Sequence, residues 1–324
     1  MSTKDIVAEL LASVGMDSEH GFGSDVARIE IHENHVVGLK LVPGLHMDVE
    51  ETDEGINGIL RLAAGVQLEK PVHICFGVLP ETGRQHINLD IRIEEEARAS
   101  FLAHCTFPNA LNVRHTMDAT IVVEPGARYA YFERHVHGAS GGVSVIPRTQ
   151  VTVHEDAEFT TEFELIKGRA GKIDFLYEAV CHARSVVEMT TRINGREDDS
   201  IIIGEKALLE GADARAALIS HIALRDRAQA EIYSDLVATG DRSRGHVDCK
   251  EIVLDAAAAR AVPTVEVRNP SAHITHEAAI GSVDSRQLQT LLSRGLDEDE
   301  ATDLIIEGLL SKKARWTRDS LTSV

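Results

Sequence analysis

The amino-acid sequence predicts a mainly β fold, a flattened β-solenoid carrying short helices at both ends. Three observations lead there. A corner of small or polar residues followed by a strand-like run recurs through the chain at a spacing of about 15 residues. β-branched and aromatic residues fill runs such as 127–132 and 151–153, which read as short strands. Helical periodicity is confined to the two ends of the chain.

The first helix is expected over 5–14. Ile6, Leu10 and Val14, with Val7 and Leu11 beside them, share a face, and Gly15 is its stop. The repeating corners then fall near Arg98, Arg114, Arg128, Val143, Glu158, Lys172, Arg184, Ser200, Arg215, Gln229, Gly245 and Arg260. Several look alike: EARASF, GARYAYF, HARSVVEM, DARAALIS, DRAQAEIY and AARAVPTV. Regular short units are stacked units, each burying its face only against its neighbours. Two of them make one coil of about 30 residues. A meander sandwich, whose strands recur every 8–12 residues or so, is the alternative that the repeat leaves open.

After Pro270 the pattern changes again. Leu288, Leu291 and Leu292 share a helical face over 284–293, and Gly295 ends that helix. Asp297 caps a second helix, with Glu300 three residues on as a capping box, and Ala301, Leu304, Ile305 and Leu309 form its apolar stripe. Such a hairpin either folds back on its own core or docks a partner. The chain of 324 residues thus divides into an N-terminal helix (1–20), a β core (21–280) and a C-terminal helical segment (281–324).

Composition excludes several functions. A formal charge of −19 repels phosphate backbones and anionic headgroups, so neither nucleic acid nor membrane is an expected partner. Lys4, Asp5 and Glu9 do not fit a secretory signal, and no apolar run approaches the roughly 18 residues that span a bilayer, so a cytoplasmic protein is expected. Aromatic residues make up 4% of the chain, with one Trp, too few for the sugar-stacking cleft of a β-helix polysaccharide lyase or hydrolase. No P-loop, G-x-G-x-x-G, H-E-x-x-H or G-x-S-x-G pattern is present, so the chain itself is not expected to be an ATPase or other enzyme.

The cysteines Cys75, Cys105, Cys181 and Cys249 form no C-x-x-C pair and are expected as reduced thiols. Among 16 histidines, His32 with His35, His135 with His137, His246, and His273 with His276 stand out. In a strand His135 and His137 share a face and could hold one metal ion. Cys249, His276 and Glu277 offer thiolate, imidazole and carboxylate, a donor set suited to iron. One coil separates Gly245 from the region of His276, so His246 is expected to stack near His276 and bring Cys249 within reach. Neighbours such as His276 and Glu277 face opposite sides of a regular strand. Both meet one ion only if the backbone is irregular or a second chain contributes.

At this point a resemblance emerges. The stretch 263–310, with N-P-x-A, H-E-A-x-x-G, Q-L, S-R-G and E-x-E-A-x-x-L-I-x-x-G, resembles the C-terminal signature of the SufB/SufD scaffolds of iron–sulfur cluster assembly. GHVDCKEIVLD resembles the strand carrying the core cysteine of the SufB branch, and ARASFLAHCTFPNALNVRHTMDATIVVEPGARYAYF resembles that branch's segment with a second cysteine. The matched segments span about 97–310. The resemblance implies a right-handed parallel β-helix on which a transient iron–sulfur cluster is built in the SUF system. It implies sulfur receipt at Cys105 and cluster assembly at Cys249 with His276 and Glu277. A SufC-type ABC ATPase is expected on Leu288, Leu291, Leu292, Arg294, Gly295, Ala301, Leu304, Ile305 and Leu309. Pairing as a homodimer or a SufB/SufD-type heterodimer is implied, with a sulfur donor protein as a further partner. Cys249 favours the SufB role over that of a cluster-free, SufD-like recruitment subunit. Counting corners from Arg98 to Gly245 puts Cys105 and Cys249 five coils apart, about 24 Å along the axis, too far to bridge or share a cluster within one chain.

Overall fold

The computed structural model describes residues 2–15, 23 and 25–311, and the parts of the end segments at 1, 16–22, 24 and 312–324 lie outside the described residues. Helix α1 (Thr3–Ser13) opens on a capping box in which the Ser2 hydroxyl accepts from the Asp5 N–H and the Asp5 carboxylate reaches back to Ser2. Strands β1 (Arg28–His32), β2 (His35–Lys40), β3 (Leu45–Glu51) and β4 (Ile56–Leu62) follow. Next come β5 (Val72–Gly77), β6 (Thr82–Ile93), β7 (Arg98–Phe107), β8 (Asn112–Val123), β9 (Arg128–His137) and β10 (Val143–Val153). The regular coils continue as β11 (Glu158–Lys167), β12 (Lys172–Cys181), β13 (Val186–Gly195), β14 (Ser200–Leu209), β15 (Arg215–Leu224) and β16 (Gln229–Ala238). The chain closes with β17 (Arg244–Val253), β18 (Ala258–Val267), β19 (His273–Gly281), α2 (Ser285–Leu292) and α3 (Glu298–Leu310).

From β4 onward successive strands alternate between two sheets, one ordered β19-β17-β15-β13-β11-β9-β7-β5-β1-β2 and the other β18-β16-β14-β12-β10-β8-β6-β4-β3. This is a parallel β-solenoid of about 8 turns, and the alternation rules out the meander sandwich. The first coils depart from the all-parallel expectation, because β1 pairs antiparallel with β2 and β3 with β4. Most corners anticipated from the repeat are strand starts: Arg98, Arg128, Val143, Glu158, Lys172, Ser200, Arg215 and Gln229 each open a strand. The strands are longer than the short runs expected, mostly 10 residues.

The repeat has a physical cause at the corners. Glu96, Asp156, Arg184 and Asp213 adopt positive φ, and Gly126 does the same at the equivalent place. The next residue is small and fully buried in each case: Ala97, Ala127, Ala157, Ser185 and Ala214. Its amide donates back to the carbonyl three residues earlier, as from Ala127 to Glu124 and Ala157 to His154. A larger residue there would hold adjacent coils apart. Between corners alternate residues face a continuous core of Ile, Val, Leu, Phe and Ala packed between the sheets.

Both helical ends lie on one sheet. Leu10 of α1 packs with Cys75 and Leu79, and Ile306 and Leu310 of α3 pack with Ala223. No described helix is long and apolar enough to cross a membrane.

Candidate functional site

The two ends of the solenoid differ. Short strands β2 and β3, of 6 and 7 residues, finish the sheets at the N-terminal end, whereas β18 and β19, of 10 and 9 residues, finish them at the other. Residues in register on parallel neighbours share a face, so the register of Val265 with Leu236 and of Ile280 with Glu251 turns both inward. Both are exposed, as is Val267. The C-terminal coil is open.

Cys249 lies just inside that opening. It is buried on the inner face of β17, in register with Ser220 of β15 and Ala278 of β19. His276 is in register with Val247, so it shares the inner face with Cys249, one strand on and two residues out of register. Glu277 follows Asp248 to the outer face, where Lys250 Nζ lies 3.6 Å from its Oε1. The regular strand thus separates His276 from Glu277. His246 does not stack on His276: it is in register with Thr275, and its Nδ1 lies 2.8 Å from Thr275 Oγ1. The step between these rungs is 29 residues, not the 30 assumed, and a one-residue slip moves a side chain to the other face.

Two carboxyl groups that sequence reasoning missed complete this region. Glu251, two residues beyond Cys249 on the same face, is buried with no hydrogen-bond partner on either oxygen. Burial, reinforced by Asp248, pushes its carboxyl up to about 7. Glu205 of β14 is also buried, and burial pushes it up to about 8 although the Thr191 hydroxyl donates to its Oε1 at 2.8 Å. Burial and then these negative groups raise the Cys249 thiol, while the Ser220 and Ser234 hydroxyls work to lower it, with Ser234 Oγ 3.9 Å from Sγ. The available signal was the strand alternation Val247-x-Cys249-x-Glu251, which puts a carboxyl in phase with core residues.

Cys105 occupies a second polar region. It is buried on β7, in register with His135 of β9. From β7 the sheet runs through β9, β11, β13 and β15 to β17, so five strand spacings, about 24 Å, separate Cys105 from Cys249 along the axis. The thiol donates to Glu133 Oε1 at 3.7 Å and is pushed well above its usual range by burial and then by Glu133. Burial works to raise Glu133 as well, but hydrogen bonding to His135 and the neighbouring rings hold its carboxyl below the usual range.

His135 and His137 share the inner face, as their spacing required, yet both are spent on hydrogen bonds. His137 Nδ1 donates to the Arg169 carbonyl at 2.9 Å, leaving Nε2 to accept from His135 Nδ1 at 3.1 Å. His135 Nε2 then meets Glu133 Oε1 at 2.6 Å. They are not placed to grip one ion between them. His115 of β8 was not singled out from the sequence, but it offers a ring nitrogen within 4.8 Å of ligand atoms of Cys105 and Glu133.

The C-terminal helices use two faces. Asp284 caps α2, and Asp297 with Glu300 forms the capping box of α3. The face of α3 that folds back carries Ile306 and Leu310, which pack on Ala223, Ile252 and Leu254, and Arg225 pairs with Asp303. Of the anticipated stripe only Ala301 is buried. Leu304, Ile305 and Leu309 line a surface groove with Leu291 of α2 and Ile280. Leu292 is exposed, Leu288 half-buried, and Arg294 and Gly295 lie in the exposed link between the helices.

The comparisons with known proteins agree with this architecture. Residues 80–309 match the family model described as SUF system FeS cluster assembly, SufBD core domain. An iron–sulfur cluster assembly SufBD family protein of Methanocaldococcus jannaschii is 33% identical over 316 residues, 96% of this chain and 99% of that protein. Its counterpart from Pyrococcus horikoshii is 35% identical over 308 residues, 95% and 94% of the two chains. The iron–sulfur cluster assembly protein SufB of Bacillus subtilis is 25% identical over 257 residues, 76% of this chain and 53% of that one. A stacked solenoid with its core cysteine near the open coil, matched by this family over most of its length, places the chain in the SufBD family of iron–sulfur cluster assembly proteins.

Proposed function

We propose that this protein is the scaffold on which an iron–sulfur cluster is assembled at the open end of the solenoid, with the cluster as transient cargo. The observation that carries this reading is the shared inner face of Cys249 and His276 on the last two rungs of one sheet. Thiolate and imidazole suit iron, and the unpartnered Glu251 oxygens beside Cys249 fit a site whose negative groups need a cation. The chain contributes ligands and a protected pocket. ATP hydrolysis belongs to a SufC-type ABC ATPase partner, docked on the groove formed by Leu291, Leu304, Ile305 and Leu309. Glu277, on the outer face, reaches the same cargo only from a second chain, which motivates pairing of two scaffolds, identical or SufB/SufD-like, in the cytoplasm. Sulfur receipt at Cys105 from a donor protein requires its rung to open, because the closed rung buries the thiol and holds it protonated.

Anaerobic co-expression with the ATPase, followed by visible absorption and iron and sulfide analysis, tests the reading. Wild type should carry cluster, and Cys249→Ala should lose most of it while remaining folded by circular dichroism. Undiminished cluster in Cys249→Ala would leave only the recruitment role of a SufD-like subunit.

A further inference from the structure

We propose that Cys105, His115 and Glu133 form a binding site for one divalent transition-metal ion inside the solenoid, separate from the cluster centre at Cys249. The three residues come from β7, β8 and β9 and therefore from both sheets. Their ligand atoms all lie within 4.8 Å of one another, the one such trio among the described residues, and all three side chains are buried. Three points that close always have a common centre within about 2.8 Å of each, so bonds of about 2.0–2.3 Å require each side chain to close by well under 1 Å.

The tautomer of His115 is set by its surroundings. Gln85 is fully buried, and its Nε2 donates to the Glu33 carbonyl at 2.8 Å, with the Ile31 and Gly77 carbonyls at 3.4 and 3.5 Å. Its Oε1 is thereby left as an acceptor for His115 Nδ1–H at 2.9 Å. The lone pair of His115 consequently sits on Nε2, which is buried and has no hydrogen-bond partner. An imidazole whose second nitrogen is anchored to an oxygen, with its lone pair unused, is the arrangement of a metal ligand. In a purely structural polar cluster that nitrogen would carry an uncompensated desolvation cost.

Glu133 is oriented in the same manner. His135 meets its Oε1, the Tyr177 hydroxyl donates to Oε2 at 3.4 Å, and His135 is held in turn through His137 to the Arg169 carbonyl. Charge narrows the choice of ion. A Cys105 thiolate and a Glu133 carboxylate carry two negative charges in a sealed interior, which a divalent cation offsets. A mixed sulfur, nitrogen and oxygen donor set favours Zn²⁺, Fe²⁺ or Co²⁺ over Mg²⁺ and Ca²⁺, which take oxygen ligands. The ion belongs to the closed rung and holds Cys105 as a thiolate there. It requires nothing of Cys249, His276 or the ATPase, so the two sites stand or fall separately.

The test uses the full chain, reduced and anaerobic, titrated with Co²⁺ as probe. Wild type should bind one equivalent in this site with tetrahedral d–d bands and a thiolate-to-cobalt charge-transfer band. The Cys75→Ala/Cys181→Ala/Cys249→Ala variant, whose only thiol is Cys105, should retain that band. Adding Cys105→Ala to that triple variant should abolish it, and adding Gln85→Leu to it, which removes the anchor of His115, should weaken binding about 10–100-fold. Zn²⁺ or Fe²⁺ should bleach the signal, and excess Mg²⁺ should not. Absence of a charge-transfer band in wild type, its loss from the folded triple variant or an unchanged affinity in that variant carrying Gln85→Leu would overturn the site. None of these readouts depends on Cys105→Ala alone, so a failure of that variant to fold leaves the proposal testable.

Discussion

Glu205 projects into the solenoid interior from β14, and its carboxyl is pushed from the ordinary 4.5 up to about 8 by burial. The sign of its effect follows from proton counting. Below about pH 4.5 the carboxyl is protonated in both folded and unfolded chains and costs nothing. As pH rises the unfolded chain ionises first and binds fewer protons, so stability falls until the folded carboxyl also ionises near pH 8. The total is on the order of 5 kcal/mol if the whole shift is expressed. Glu205→Gln keeps an oxygen for the Thr191 hydroxyl and removes the charge. It should stabilise the protein by several kcal/mol at pH 8 and by far less at pH 5, read from urea midpoints. An equal effect at both pH values would show that Glu205 ionises without penalty. Such residues mark where the sequence was hard to read. Cys249 and His276 stood out because thiols and imidazoles are rare, whereas Glu205, Glu251 and Glu133 are three carboxylates among 52 acidic residues. Only their phase in a strand sets them apart, and phase fails as a guide when the coil length is uncertain by one residue, as it was for His246.

At the scale of elements the sequence was more informative. Each coil repeats one local solution, a left-handed residue followed by a small buried one, so periodicity alone located most strand starts. The cap at Asp297 was equally legible because capping is local chemistry, whereas the cap at Asp284 emerged only from the structure. Which face of α3 meets the core was not, since Ile305 and Ile306 adjoin and both look apolar. The choice depends on where the hollow over Ala223 and Ile252 lies. The division yields a clean test, better than truncation near Ala279, which would uncover that hollow as well as remove the proposed dock. Ile306→Ala should cost about 2–4 kcal/mol by leaving a cavity against Ala223, Ile252 and Leu254. Leu304→Glu with Leu309→Glu changes groove residues that are exposed and half-buried, so it should cost little stability yet abolish co-purification of the ATPase. Full ATPase recovery by the double variant would move the dock elsewhere.

For the whole molecule the unfinished C-terminal coil is the dominant feature. Two edge strands of 10 and 9 residues carry rows of N–H and C=O groups that no strand among the described residues pairs, and long edges of this kind are templates for pairing with another chain. Val265, Val267 and Ile280 are exposed, and among the described residues no further rung covers them. A second copy of this chain meeting this end would bury all three. It would also bring another chain's carboxylates toward this end, as the proposed role of Glu277 needs. A two-fold arrangement closes on itself and leaves no edge for growth into fibres. Each chain carries a formal charge of −19, so pairing works against mutual repulsion and should tighten as salt rises from about 10 mM to 150 mM. Val267→Lys places a cation on the inner face of β18 where the wild-type chain has an exposed aliphatic residue, outside the groove of α2 and α3. Light scattering should find two scaffold copies per complex in wild type and one in this variant, at nearly unchanged melting temperature. Cluster yield should fall with the dimer even though Cys249 is intact. A wild-type complex with the ATPase that holds a single copy of this chain, or a monomeric Val267→Lys protein that assembles cluster normally, would require every ligand to come from one chain and would leave Glu277 outside the site.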